Sequence, residues 1–316
     1  MEYKLYQSLK GLFAKCSQLK FLPDISKWNT RKVLSMRGLF FECSSLELIP
    51  DISKWKTEAL LDARCLFYGS SSLKKFPDLS NWNTNNLRDI SGLFYGCSSL
   101  EYLPDISKWN VNKVHEIRGL FSDCSSLKYL PDISKWKINK ITDISYLFYG
   151  CSSLNYLPDI SKWNVNNINN ISNLFSDCLS LKFLPDISKW NTNKIIDMSF
   201  LFYKCSSLQK IPDISKWNTN NLKKAEHLFT YCNSLITIPD ISKWNIDKSC
   251  DMNNNFINNS SEEAQFISKE TNTLSISELS YKSKLEFNSS IFTNLFQNSF
   301  YDNTIDKNQI YDDFYL

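Results

Sequence analysis

The sequence has few of the residues on which catalysis and cofactor binding usually depend. It contains only 2 histidines, His115 and His227, which occupy different positions of the repeat described below and cannot be paired with a nucleophile. It has only 7 glycines and no glycine-rich phosphate-binding loop. Its 10 cysteines form no CxxC pair and no cluster with histidine, so a zinc site is not expected. The sequence therefore predicts a protein that is not an enzyme and that has no cofactor and no metal.

Long apolar runs and an excess of one charge are also missing. No apolar run approaches the roughly 20 residues of a membrane-spanning helix, so no membrane span is predicted. Lys and Arg number 36 against 33 Asp and Glu, and this net charge of +3 is too small to indicate a nucleic-acid partner. The first residues, MEYKLYQSLKGLF, have no apolar stretch of signal-peptide length. As it stands, the sequence predicts a cytoplasmic protein.

What the sequence has instead is one motif written nine times at a constant step of 27 residues. The motif contains every Trp of the chain, from Trp28 to Trp244, and every Pro, from Pro23 to Pro239. A Leu-Phe pair recurs at the same step, and no insertion separates the copies. A fixed period of this size is typical of a solenoid, in which each coil covers the open face of its neighbour.

Each coil shows two patterns of apolar residues. In CSSLKYLPDISKW, residues 124–136, they recur at every third position, which favours an extended segment broken by corners. Pro131 cannot donate to a strand ladder and is expected at a strand end or bend. The following KINKITDISYLFYGC places its apolar residues on one face of a helix. Each coil is therefore predicted to contain a short strand, a turn and a short helix.

The pattern CxxLxxLPDISxWN, followed by V/I-xx-I/M-xx-LFxxC, resembles the leucine-rich-repeat surface proteins of the BspA-like family. The resemblance covers about residues 1–256, although LPDIS is one residue longer than the usual LDLS strand of that family. It implies an α/β solenoid, a right-handed superhelix of about nine strand–helix coils with short parallel strands on one face. It also implies a noncatalytic protein, at the cell surface or secreted, that works in adhesion or protein–protein interaction.

The motif predicts three segments. Residues 1–256 form the solenoid, with an incomplete first coil because Met1 falls at the Trp position of the repeat. A missing upstream segment is therefore one expectation, and it would agree with a secreted or cell-surface location. Residues 257–284 are predicted to be a polar, mobile linker. Residues 285–316 are predicted to be a cap helix on the last coil or a disordered tail, with a partner-binding helix as a further alternative.

We call one position of the repeat, followed from coil to coil, a column. Two polar columns suggest metal-binding or redox chemistry at first. Eight cysteines occupy one position of the motif, and Ser70 replaces the ninth. We expect small, buried, reduced side chains there, with disulfides between adjacent coils as the alternative. An Asp follows each Pro, from Asp24 to Asp240. A carboxylate at this point fits a turn in which it accepts hydrogen bonds from nearby backbone N–H groups, and cation binding is the alternative.

Specificity should lie in the columns that vary. The residue before the second Leu of Leu-x-x-Leu is expected on the open face of the sheet, and six large apolar residues in this column are predicted to contact a partner. We call them the stripe: Phe21, Leu48, Tyr102, Tyr129, Tyr156 and Phe183. Such a stripe suits a protein partner or a surface glycan. The alternatives are that its rings only shield the strands, or that the repeat has expanded without a dedicated partner. The next candidate column, on the predicted helix side, contains Phe41, Tyr68, Tyr95, Ser122, Tyr149, Ser176, Tyr203 and Thr230.

Overall fold

The structure is a computed structural model that describes residues 7–247, 249–252 and 255. The chain divides into two units, Met1–Tyr281 and Lys282–Leu316, and every described residue belongs to the first. The predicted linker, residues 257–284, and the predicted C-terminal segment, residues 285–316, lie outside the described residues.

Successive copies of the motif stack as the coils of a solenoid. Isolated parallel β-bridges join residues 27 positions apart, for example Ser35 to Asp62 and Tyr102 to Tyr129. The predicted repeat solenoid is thereby confirmed. Within the described residues these bridges do not extend into longer strands, so the parallel pairing is limited to single residues at two positions of the repeat.

The short helix predicted in each coil does not occur in the described residues. The only helical elements there are two 3₁₀ helices, Ile160–Lys162 and Ile187–Lys189. The Leu-Phe stretch forms consecutive turns instead, in which Leu39 N donates to Met36 O at 3.1 Å. Every second backbone N–H of this stretch donates to the next coil, as Phe40 N does to Leu66 O at 2.9 Å. A backbone that bonds between coils in this way cannot make the i to i−4 bonds of an α-helix.

The turns require a left-handed residue at two positions of every coil, such as Gly92 and Gly96 with φ of 57° and 68°. All 7 glycines of the chain occupy these two positions. Other coils have larger residues there, including Tyr146 at φ 58° and Phe200 at φ 59°. The left-handed conformation costs a residue with a side chain roughly 1–2 kcal/mol. The hydrogen bonds between coils and the packing beneath them must offset that cost.

The core consists of side-chain columns that run along the solenoid. The Phe rings of successive Leu-Phe pairs are buried and stack, as Phe40 does on Phe67 with centroids 5.5 Å apart. The Trp column is buried from Trp55 to Trp244, as the sequence predicted. Each of these indoles also donates to a carbonyl of the previous coil, as Trp163 Nε1 does to Ile133 O at 3.1 Å. Trp thus provides both apolar area and a hydrogen bond that closes the coil.

Candidate binding face

The six residues of the stripe all lie on the surface. They are exposed by the following fractions: Phe21 60%, Leu48 53%, Tyr102 54%, Tyr129 37%, Tyr156 57% and Phe183 58%. Large apolar residues of the other columns are mostly buried, so this column is an exception to the way in which the repeat distributes them.

The backbone around the stripe explains why these side chains point outward. Parallel bridges join Tyr102 to Tyr129 and Phe183 to Lys210. One position earlier, Lys128 N donates to Glu101 O at 3.1 Å. In such an extended segment successive side chains alternate between the two faces. The leucine or isoleucine directly after each stripe residue is buried or packs against the core, and the stripe residues face solvent.

The rings at the centre of the stripe contact one another. Tyr102 and Tyr129 stack with centroids 6.0 Å apart and planes 22° apart, and Tyr129 and Tyr156 lie 5.1 Å apart with a 43° tilt. Lys128 Nζ lies 5.9 Å from the centre of the Tyr102 ring. Because these three rings lie against one another, their faces are partly covered.

Charged residues border the stripe on the preceding column of the repeat. Lys128 Nζ donates to Glu101 Oε2 at 2.8 Å, and both side chains are largely exposed. The hydrogen bond to Glu101 and the Glu101 charge raise the pKa of Lys128 above its usual value, so this lysine stays charged. An exposed pair of this kind adds little to stability but gives the border of the stripe a defined pattern of charge.

The second candidate column, which contains Tyr95, is buried from Tyr68 onward, so it is not an available binding face. Tyr68 and Tyr95 are 2% and 7% exposed and stack with centroids 4.4 Å apart. From Tyr95 onward, tyrosine alternates with serine or threonine at this position, so that each large ring lies next to a small side chain. Burial raises the pKa of Tyr95, and Asp123, which accepts a hydrogen bond from it, raises the pKa further.

The Asp column closes turns, as the favoured interpretation predicted. Asp132 Oδ1 accepts a hydrogen bond from Ser134 N at 3.0 Å, and the equivalent bond recurs in the other coils. The bonds to Ser134 lower the pKa of the Asp132 carboxyl. In the described residues no group of three or more His, Cys, Asp or Glu is arranged to hold a metal ion.

His227 packs against Phe200, with ring centroids 4.8 Å apart, and burial lowers its pKa.

From Cys43 onward the cysteine column is buried, and its thiols bond to the backbone. Cys97 Sγ donates to Phe67 O at 3.3 Å and Cys151 Sγ to Phe121 O at 3.1 Å. All 10 cysteines of the chain fall in its described part, and each is a free thiol. The stacked thiols therefore contribute to the hydrogen bonding between coils.

A second surface feature was not recognised in the sequence. A shallow groove of ≈ 570 Å³ runs across four coils, on the side that follows each Trp. We call it the lysine–asparagine groove, and it is lined by Lys140, Thr142, Asn167, Asn169, Lys194, Ile196, Asn221 and Lys223. Its sequence signal is the alternation of Lys and Asn at one position of successive repeats, which resembles ordinary surface variation.

The part of the chain that the structure describes contains no helix long and apolar enough to cross a membrane.

Several solved structures are similar to this chain. One is a leucine-rich repeat protein from Eubacterium ventriosum ATCC 27560, with 18% identity and a TM-score of 0.42, over 66% of this chain and 59% of that one. Another is a leucine-rich repeat protein from Bacteroides ovatus ATCC 8483, with 19% identity and a TM-score of 0.28, over 77% and 71%. A leucine rich cell surface protein from Faecalibacterium prausnitzii A2-165 has 16% identity and a TM-score of 0.24, over 69% and 78%. The chain thus spans less than two thirds of the first of these proteins.

No curated protein matches the chain. The family described as "Mycoplasma protein of unknown function, DUF285" matches it over residues 7–130, 73–183 and 156–270. Together these overlapping matches span most of the chain, including all nine copies of the motif. The chain therefore belongs to this repeat family, and the resemblance to BspA-like leucine-rich-repeat proteins that its motif indicated is confirmed.

Proposed function

We propose that the chain is a noncatalytic repeat scaffold for protein–protein interaction or adhesion, and that a protein partner contacts the stripe. The observation that carries this proposal is the exposure of six large apolar side chains at one position of the repeat, in a fold that buries most other large apolar residues. Four of them, Tyr102, Tyr129, Tyr156 and Phe183, follow one another in successive coils, and contiguous exposed apolar surface is typical of binding sites in soluble proteins.

The central part of the stripe has the character of a binding hot spot. Tyr102, Tyr129, Tyr156 and Phe183 occupy four successive coils, so at about 4.8 Å per coil they extend over roughly 15 Å. Aromatic side chains supply large contact areas and lose little conformational entropy on binding. The mixed charges around them would set the orientation of a partner and exclude poorly matched ones.

The ring geometry favours a protein over a sugar at this face. A sugar ring packs best on an aromatic face that is open to solvent, whereas Tyr102 and Tyr129 cover part of each other's faces. Tyrosine also has a large apolar body and a hydroxyl group, which suit apolar side chains and backbone carbonyls of a protein partner.

The test compares a triple variant with a matched control. Tyr102→Ser, Tyr129→Ser and Tyr156→Ser together remove the centre of the stripe, whereas Lys108→Ser, Lys135→Ser and Lys162→Ser change three exposed side chains of the same coils elsewhere. Beads coated with the parent protein should adhere to particular proteins of an immobilised extracellular-protein panel. The tyrosine variant should lose that adhesion and the lysine variant should keep it, with unchanged melting of both. Equal adhesion of parent and tyrosine variant, or no adhesion at all, would reject the proposal.

A further inference from the structure

The lysine–asparagine groove contains a positive charge, that of Lys194, which the fold holds in place. Lys194 Nζ donates to Asn167 Oδ1 at 2.8 Å, and Asn167 Nδ2 donates to Asn139 O at 2.8 Å. The asparagine is thus fixed to the backbone of the previous coil, and it fixes the lysine of the next one. An ammonium group has three N–H donors, so Lys194 still has two for a ligand.

The same arrangement occurs earlier in the solenoid. Lys113 Nζ donates to Asn86 Oδ1 at 2.8 Å, and Asn86 Nδ2 donates to Glu58 O at 2.8 Å. An anchored lysine is therefore a repeated unit of this edge, at the same position of the motif. Long lysine side chains normally lose rotamer freedom when they bind a ligand, and anchoring removes part of that cost beforehand.

The charge of the groove is not neutralised by its own lining. None of the eight described residues that line it is acidic. Asp143 and Asp197, which follow lining residues in the chain, are outside the lining, and their carboxylates accept hydrogen bonds from Ser145 N and Ser199 N. Lys223, at one end of the groove, lies near Asp247. Hydrogen bonds with Ser249 lower the pKa of the Asp247 carboxyl most, and the charge of Lys223 lowers it further. Lys140 and Lys194 are therefore the main positive charges of the groove.

We infer that this groove binds an acidic polysaccharide in which charged sugars alternate with neutral ones. Along its first wall, lysine and asparagine alternate from Lys140 through Asn167 and Lys194 to Asn221. Two coil steps separate the lysines, which corresponds to about 10 Å at the usual spacing of paired strands. A carboxylate or sulfate of every second sugar would meet a lysine, and the hydroxyls of the neutral sugars would meet the asparagine amides between them.

Two other polyanions fit the lining less well. Single-stranded nucleic acid is bound through aromatic rings that stack on bases, and no aromatic residue is among the described residues of the lining. A membrane surface is bound through a projecting apolar face, whereas this site is concave and Ile196 is its one apolar residue among those described.

The experiment measures binding of the full chain to hyaluronan oligosaccharides, which carry a carboxylate on alternate sugars. The test variant is Lys140→Gln with Lys194→Gln. The control, Lys135→Gln with Lys189→Gln, removes the same charge from the same two coils at exposed lysines that do not line the groove. At low salt the test variant should bind at least about tenfold more weakly and with a smaller salt dependence, because two ion contacts are lost. The control should stay within about twofold of the parent.

A third variant, Asn167→Ala, removes no charge but releases Lys194, and it should weaken binding by about two- to fivefold. Melting curves of all three variants should match the parent, because the changed side chains are exposed. The inference is overturned if hyaluronan does not bind, if control and test variants lose affinity equally, or if Asn167→Ala binds like the parent. Tighter binding to oligothymidylate or to phosphatidylserine vesicles than to hyaluronan would also overturn it.

Discussion

The Ser70 hydroxyl donates to the Phe40 carbonyl at 2.9 Å, at the position where other coils have a cysteine. In those coils a thiol makes the same bond, as Cys124 Sγ does to Phe94 O at 3.1 Å. The common requirement is a small buried side chain with a hydrogen-bond donor, which both cysteine and serine satisfy. Ser70, the one residue of the column that is not cysteine, thus shows that the column provides a buried donor to a carbonyl of the previous coil.

This relationship predicts an unusual order of stability for substitutions at Cys124. Cys124→Ser should keep the side-chain bond to Phe94 O, whereas Cys124→Ala removes it, leaves that carbonyl with only the bond from Cys97 N, and opens a small cavity. The alanine variant should therefore lose about 1 kcal/mol more free energy of unfolding than the serine variant. Denaturant titration of both variants measures the difference. An alanine variant as stable as the serine variant would show that the bond contributes nothing.

The thiols should be unreactive in the native protein. Burial raises the pKa of Cys43 to about 11 and that of Cys65 to about 12, so their thiolate forms are scarce at pH 8. A thiol reagent should label half-buried Cys16 and Cys250 first, and the remaining eight only after denaturation. Mass spectrometry that found a Cys124–Cys151 disulfide in freshly prepared protein would contradict this.

Because burial raises the pKa of these thiols, the stability of the fold should depend on pH. A thiol whose pKa is higher in the folded chain than in the unfolded one stabilises the fold fully below the unfolded value, near 8.5. That contribution is lost as pH rises from about 8.5 toward the folded values of about 11 and 12. The melting temperature should therefore fall as pH rises above about 8.5, and replacing buried thiols by serine should reduce the fall.

The Trp column should contribute strongly to stability. Trp163 is 4% exposed and donates to Ile133 O, so Trp163→Ala removes a large apolar side chain and a buried hydrogen bond together. We expect a loss of about 3–5 kcal/mol in the free energy of unfolding. Trp163→Phe keeps part of the packing and should lose less. An unchanged unfolding midpoint in the alanine variant would mean that the indole does not support the coil.

The period of the repeat and its apolar columns were enough to predict the solenoid, its Trp core and the column in which the exposed stripe lies. The short helix was predicted wrongly, because inward-facing residues at spacings of three, one and three occur both on a helix face and in stacked turns. The left-handed positions could not be recognised either, because residues such as Tyr146 occupy places that usually favour glycine. The groove has no strong composition signal, since its character depends on hydrogen bonds between residues of successive coils.

Two glycines at the same position of the repeat provide a test of the turn stacking. Gly150 and Gly96 have almost the same φ, +67° and +68°, so alanine at either should cost a similar amount of backbone strain, about 1 kcal/mol. Their neighbours differ: a β-carbon at Gly150 would collide with the Asp123 carboxylate, whereas at Gly96 its nearest neighbour is Gly69 Cα at 3.4 Å.

Gly150→Ala should therefore lower the free energy of unfolding by roughly 1 kcal/mol more than Gly96→Ala, because the Asp123 carboxylate must move. In an Asp123→Ala background the two alanine variants should become equally costly, because the obstructing carboxylate is gone. Thermal or denaturant unfolding of Gly96→Ala and Gly150→Ala, each in the parent and in the Asp123→Ala background, measures this coupling. If the excess cost at Gly150 persists without the Asp123 carboxylate, it comes from the backbone of the turn and not from contact between the stacked coils.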